Sequence, residues 1–132
     1  PEVVGILNRV KAPYNIGGLT QQTALALLRQ YDLFQNRRTG IILERERLIR
    51  ELRGLGIFRR VYDSEANFIL VITEFCQKLY RYLIACRVVV RLRDIPPLIG
   101  GGIRITVGTR EENDRLLEVL HEYDNVMEVN TL

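Results

Sequence analysis

Two arginines stand out by type and spacing. Arg104 lies in the alternating stretch IRITV, Ile103 to Val107, and Arg91 lies thirteen positions earlier in VVVRL. A guanidinium is a planar, permanently charged fork whose paired N–H groups match a carboxylate or phosphate bidentately. Two such forks on neighbouring strands would receive a small anion. A single strand arginine is ordinarily a solvated surface residue or one half of a loose ion pair. Two on one face, beside a glycine-rich loop where a ligand can approach the backbone, favour an anion site.

No other residue type offers chemistry of its own. His121, the sole histidine, sits late in a helical stretch with no serine, cysteine or aspartate arrangement around it, and reads as solvated or capping. Cys76 and Cys86 are ten apart on one expected helix, too separated to bridge, and no metal-ligand cluster accompanies them. Gly100 to Gly102 form a connector rather than a phosphate cradle, because no strand leads into them and no helix follows directly. The pairs Arg37–Arg38 and Arg59–Arg60 have Phe34, Phe58 and Tyr62 nearby, but no aromatic platform on a strand. No catalytic residue, no metal site and no nucleic-acid partner are expected.

The elements that position the arginines follow from periodicity. The first fifteen residues, with an apolar patch and then the breakers Pro13 and Asn15, read as a connector. Ala24, Leu25, Leu27, Leu28 and Tyr31 recur at helical spacing, with Thr20 as N-cap and an end near Asn36. A second helix is predicted from about Thr39 to Leu55, closed by Gly54 and Gly56, with a solvated face of Glu44, Arg45, Glu46, Arg47 and Arg50 opposite its apolar stripe. Ala66 to Ile72 is a continuous apolar run, hence a central strand or one covered on both sides. A helix from about Glu74 to Cys86 precedes the strand Val88 to Leu92. The loop RDIPPLIGGG leads to IRITV, and Thr109 with Glu112 forms a capping box for the last helix. The fold class is α+β, a small, mostly antiparallel sheet covered by helices on one face. Alternation puts Ile103, Ile105 and Val107 toward the helices, and Arg104 and Arg91 on the open face.

A chain of 132 residues, 47% hydrophobic and 27% charged, can bury one core. The net charge of +3 comes from basic residues interleaved with acidic ones rather than from one basic block, and is weak support for nucleic-acid binding. No apolar run reaches the roughly 20 residues that span a bilayer, and PEVVGILNRVK lacks the features of a signal peptide, so a cytoplasmic protein without a membrane partner is expected. The chain opens at Pro1 without methionine, which is compatible with processing or with excision from something longer.

Four segments, KAPYNIGGLTQQTALALL, VYDSEANFILV, LYRYLIACRVVVRLRD and GGGIRITVGTREENDRLLEVL, carry a family resemblance. Together they resemble the C-terminal small domain of histidinol-phosphate aminotransferase, a pyridoxal-phosphate enzyme of the aspartate aminotransferase fold type. The resemblance implies that the parent moves an amino group between histidinol phosphate and 2-oxoglutarate in histidine biosynthesis. It implies that Arg104 holds the α-carboxylate of glutamate or 2-oxoglutarate, and that Arg91 helps bind the phosphate of histidinol phosphate.

It further implies that residues 1–36 are an interdomain connector and helix, 37–125 the small domain, and 126–132 a tail or edge strand. The implied partners are a large domain of the same polypeptide, a second copy in a homodimer and a small-molecule substrate. The family's Schiff-base lysine and its companions lie upstream of the matching region. Lys11 and Lys78, the only lysines, stand in no such context, so pyridoxal phosphate is expected in the parent and not in this chain. The chain alone is expected to be inactive. Arg87 stands where relatives usually carry glycine, a position that often needs a left-handed backbone. The alternatives are a phosphothreonine-type decarboxylase of cobalamin synthesis, and a stand-alone module for an anionic metabolite or RNA.

Overall fold

The computed structural model describes residues 2–10, 16–93 and 101–129. It divides into two compact units, residues 1–36 and 37–132. The first unit contains α1 (Glu2–Val10) and α2 (Gly18–Leu28). The sequence predicts a connector through the first fifteen residues, yet Glu2–Val10 forms a helix, with Glu2 and Arg9 placed favourably at its dipole ends. The breakers Pro13 and Asn15 lie outside the described residues. Helix α2 begins at Gly18 with Gly17 as N-cap, three residues before the predicted cap Thr20, whose N-capping role is not used. It buries no residue, and Leu19, Leu25 and Leu28 remain exposed.

Helix α2 ends earlier than expected, and α3 (Tyr31–Arg53) runs without interruption through the predicted break at 36–39. The break falls instead at Arg29 and Gln30, whose N–H groups bond back to the carbonyls of Leu25 and Leu27. No glycine or proline marks that turn. Gly40, which could have ended a helix, is tolerated inside α3 at a cost of about 1 kcal/mol.

Among the described residues the second unit is built on a four-stranded, wholly antiparallel sheet of β1 (Arg60–Val61), β2 (Phe68–Ile72), β3 (Arg91–Arg93) and β4 (Gly102–Thr106), in spatial order β1-β2-β4-β3. Strand β2 is central, as its continuous apolar run predicts. The two-residue β1 carries no periodic signal and is made by its partner, Arg60 opposite Ile72 and Val61 opposite Val71. Helices α4 (Cys76–Ala85) and α5 (Arg110–Val129) complete the unit.

Leu48 and Leu52 of α3, Leu79 and Leu83 of α4, and Leu116 and Leu120 of α5 pack with Ile69, Val71, Ile103 and Ile105 of the sheet. Each fully buried side chain of this kind contributes about 1.5–3 kcal/mol relative to exposure. All four sheet residues lie on one face. The α+β architecture with helices on one face is therefore as the alternation predicts. Residues 126–129 continue α5 rather than forming an edge strand, because Met127 extends the stripe of Leu116, Leu120 and Tyr123 onto the core.

Helix α4 ends in a Schellman turn: Val88 N–H bonds Leu83 C=O at 2.8 Å, and Arg87 N–H bonds Ile84 C=O at 3.0 Å. The motif requires a left-handed residue at Arg87, whose φ is 62°. An L side chain there costs about 1–2 kcal/mol. Arg87→Gly should accordingly raise unfolding free energy by about 1 kcal/mol, measured by urea denaturation; an unchanged or lower midpoint would refute the strain. Cys76 and Cys86 begin and cap α4, about 15 Å apart along the helix, beyond disulfide reach. Cys76 is buried, which pushes its thiol pKa up.

Candidate anion site

The register of the last two strands places Arg91 directly opposite Arg104. Cross-strand neighbours of this kind have Cβ atoms about 4.5–5.5 Å apart. Arg104 is in turn opposite Leu70 of β2, and Phe68 is opposite Thr106. Arg91, Arg104, Leu70, Phe68 and Thr106 therefore share the face that carries none of the helix-packed core.

Like charges directly opposite on a sheet are destabilising. Among the described residues neither arginine has a carboxylate partner. The Nε of Arg104 is buried and makes no hydrogen bond, an arrangement that costs free energy. Its guanidinium carbon sits 5.0 Å from the centroid of the Phe68 ring. An anion bound between the two guanidiniums would offset their repulsion.

Backbone hydrogen bonding locks the strand that carries Arg104. Val107 N–H bonds Asn67 C=O at 2.9 Å. At Gly108 the Asn113 side chain clamps both backbone groups, its Oδ1 accepting from Gly108 N–H at 3.0 Å and its Nδ2 donating to Gly108 C=O at 3.1 Å. Asn113 is only 1% exposed. A Cβ on Gly108 would lie 2.5 Å from Glu112 Oε2 and 3.0 Å from Glu112 Cβ, so a larger residue in this turn would have to push the Glu112 side chain aside. The predicted capping box is formed, with Thr109 N–H donating to Glu112 Oε2 at 2.8 Å and Glu112 N–H to Thr109 Oγ1 at 3.3 Å.

Glu44 of α3 ties this turn to the rest of the unit. Its carboxylate accepts from Arg47 Nη2 at 2.7 Å, Asn113 Nδ2 at 2.9 Å and Arg110 Nη1 at 3.1 Å. Arg47, foremost, with Asn113 and Arg110, holds the Glu44 pKa down at about 2 against the opposing effect of burial. Arg47 also reaches Asp114 at 2.8 Å. The expectation that the charged face of this helix is simply solvated thus fails at Glu44 and Arg47, which are half-buried between α3 and the start of α5. Thr106 lines a cleft of about 410 Å³ together with Arg87, Val89, Asn113 and Leu116.

The sequence-predicted arginines are thus brought together, whereas His121 lies exposed on α5. Phe68, Asn113 and Glu44 escape sequence reasoning. The apolar run around Phe68 has no alternation to assign it a face, and the partners of Asn113 and Glu44 are 69 positions apart. Pyridoxal phosphate needs an amine for its aldehyde and a carboxylate for its ring nitrogen. Among the described residues the only lysine is Lys78, exposed on α4, which packs against the opposite face of the sheet. The described residues do not fit the cofactor. No described helix is long and apolar enough to cross a membrane.

Residues 1–120 match the family model described as aminotransferase class I and II. A histidinol-phosphate aminotransferase from Flavobacterium psychrophilum is 41% identical over 119 residues, covering 89% of this chain and 34% of the relative. The solved histidinol-phosphate aminotransferase of Clostridium acetobutylicum superposes with a TM-score of 0.78 at 26% identity, covering 94% of this chain and 38% of that one. A decarboxylase from Sulfurospirillum multivorans superposes with a TM-score of 0.73 at 25% identity, covering 93% of this chain and 36% of that one. The chain spans about a third of the length of the curated relatives it matches. With a family match over nearly its whole length and the corresponding fold, the chain belongs to the class I and II aminotransferases.

Proposed function

We propose that this chain is the C-terminal small-domain portion of a histidinol-phosphate aminotransferase, and that its contribution to the enzyme is the substrate-anion site. The observation that carries the reading is the Arg91–Arg104 cross-strand pair on the helix-free face, without carboxylate partners among the described residues. Histidinol phosphate bears a phosphate ester where glutamate bears a carboxylate, so one site must receive different anions in the two half-reactions. Arg104 grips the α-carboxylate of glutamate or 2-oxoglutarate, and Arg91 contributes to holding the phosphate.

Pyridoxal phosphate, the electron sink of transamination, is held by a large domain of the same polypeptide, whose lysine and aspartate the described residues do not replace. Residues 1–36 form the junction with that domain, 37–125 are the small domain, and 126–132 its tail. The exposed apolar residues of α1 and α2, such as Ile6, Leu7, Leu25 and Leu28, lie in that junction. The parent works as a cytoplasmic homodimer, and this chain alone is inactive.

The test is to express the full-length polypeptide beside the 132-residue chain. The full-length enzyme should carry pyridoxal-phosphate absorbance and convert histidinol phosphate with 2-oxoglutarate, and the short chain should do neither. Transamination by the short chain alone would sink the proposal. The likeness to the Sulfurospirillum decarboxylase favours one second reading, a phosphoamino-acid decarboxylase. Release of carbon dioxide from a phosphoamino acid, with no transamination, would select it.

A further inference from the structure

The Phe68 ring is placed to govern how Arg104 meets a ligand. Phe68 opens β2 on the helix-free face, and because its register partner is Thr106 it lies diagonally across from Arg104. Its ring centroid is 5.0 Å from the Arg104 guanidinium carbon. A cation over an aromatic face is held by the ring quadrupole, and a guanidinium is weakly hydrated enough to sit there. Nε is already buried and unbonded. The end-on pair of Nη groups, free of hydrogen bonds among the described residues, is the edge left for an anion.

We propose that Phe68 is a positioning residue of the anion site: its ring holds the Arg104 guanidinium in the orientation that presents the Nη1/Nη2 edge to the ligand's carboxylate. The inference rests on the reading of Arg104 as the carboxylate-binding arginine. An unsupported arginine samples many rotamers and must be ordered at the moment of binding; one already resting on a ring has lost part of that freedom beforehand. The contribution therefore falls on substrate affinity more than on turnover. Phe68 is not part of the cluster beneath the helices, so replacing it leaves the core intact. Tyr62 of the same face supplies a control, since its ring carries Arg60 rather than Arg104, at 4.4 Å.

The experiment measures KM and kcat for 2-oxoglutarate in the full-length enzyme carrying Phe68→Leu, Phe68→Tyr, Tyr62→Leu, Arg104→Gln, or Phe68→Leu with Arg104→Gln. Phe68→Leu should raise KM about 3- to 30-fold, the range set by loss of a partly desolvated cation–π contact, with kcat within about twofold. Phe68→Tyr should restore KM, Tyr62→Leu should leave it in place, and Phe68→Leu should add nothing to Arg104→Gln. An unchanged KM in Phe68→Leu, a loss confined to kcat, or full additivity with Arg104→Gln would overturn the positioning role. If Arg104→Gln itself leaves KM unchanged, the assignment of Arg104 falls, and the role of Phe68 with it.

Discussion

Arg104→Gln should lower kcat/KM for 2-oxoglutarate about 100- to 10,000-fold in the full-length enzyme while leaving its folding nearly untouched. Two charge-assisted hydrogen bonds to a carboxylate, at about 1.5–3 kcal/mol each, set the size of the loss. The small effect on folding is the more discriminating half of the prediction. Arg104 faces Arg91 across the ladder, so its charge is a liability in the free protein and its removal relieves a repulsion of roughly 0.2–1 kcal/mol. Loss of the contact with Phe68 works in the other direction by a similar amount. The thermal midpoint should move by no more than a few degrees. A fall of less than about threefold in kcat/KM, or a large drop in midpoint, would mean that Arg104 serves the fold and not the ligand.

Glu44→Gln should act in the opposite sense, costing about 2–3 kcal/mol of stability at neutral pH. The carboxylate is only 17% exposed and joins α3 to Arg110, Asn113 and, through Arg47, Asp114. Its pKa is lowered from 4.5 to about 2, a displacement worth at most about 3 kcal/mol. Because the folded-state value lies below the unfolded one, this stabilisation is complete above pH 4.5 and is lost as pH falls toward 2. Denaturant titrations should show wild type and variant well separated at pH 7 and converging near pH 2. A gap independent of pH would show that Glu44 contributes by packing or neutral hydrogen bonding alone. The consequence reaches the anion site, since Glu44 steadies the Asn113 amide that clamps Gly108 behind the strand of Arg104.

The part of this architecture that is written locally can be read without coordinates. Ile103, Ile105 and Val107 alternate with Arg104, and that period of two places the arginine on the open face whatever its neighbours do. Thr109 and Glu112 are three positions apart and meet within one turn. Arg87 follows an amphipathic helix at a place where the family that the chain resembles usually carries glycine, and that resemblance marks a left-handed position at the helix end. In each case the interacting groups are close in the chain, so the geometry of a single helix or strand suffices.

The helix boundary at Arg29–Gln30 has no such mark, because nothing in those residues breaks a helix. The two residues of β1 are too few to show any period, and exist only because β2 offers an unpaired edge. By itself the sequence determined that two guanidiniums lie on one bare face of an α+β sheet. The tertiary structure alone decided that they stand directly opposite each other, that Phe68 backs one of them, and that Glu44 and Asn113 meet across 69 positions to hold the turn beside them. Register and long-range hydrogen bonds depend on how separate elements dock, and local periodicity carries no record of that.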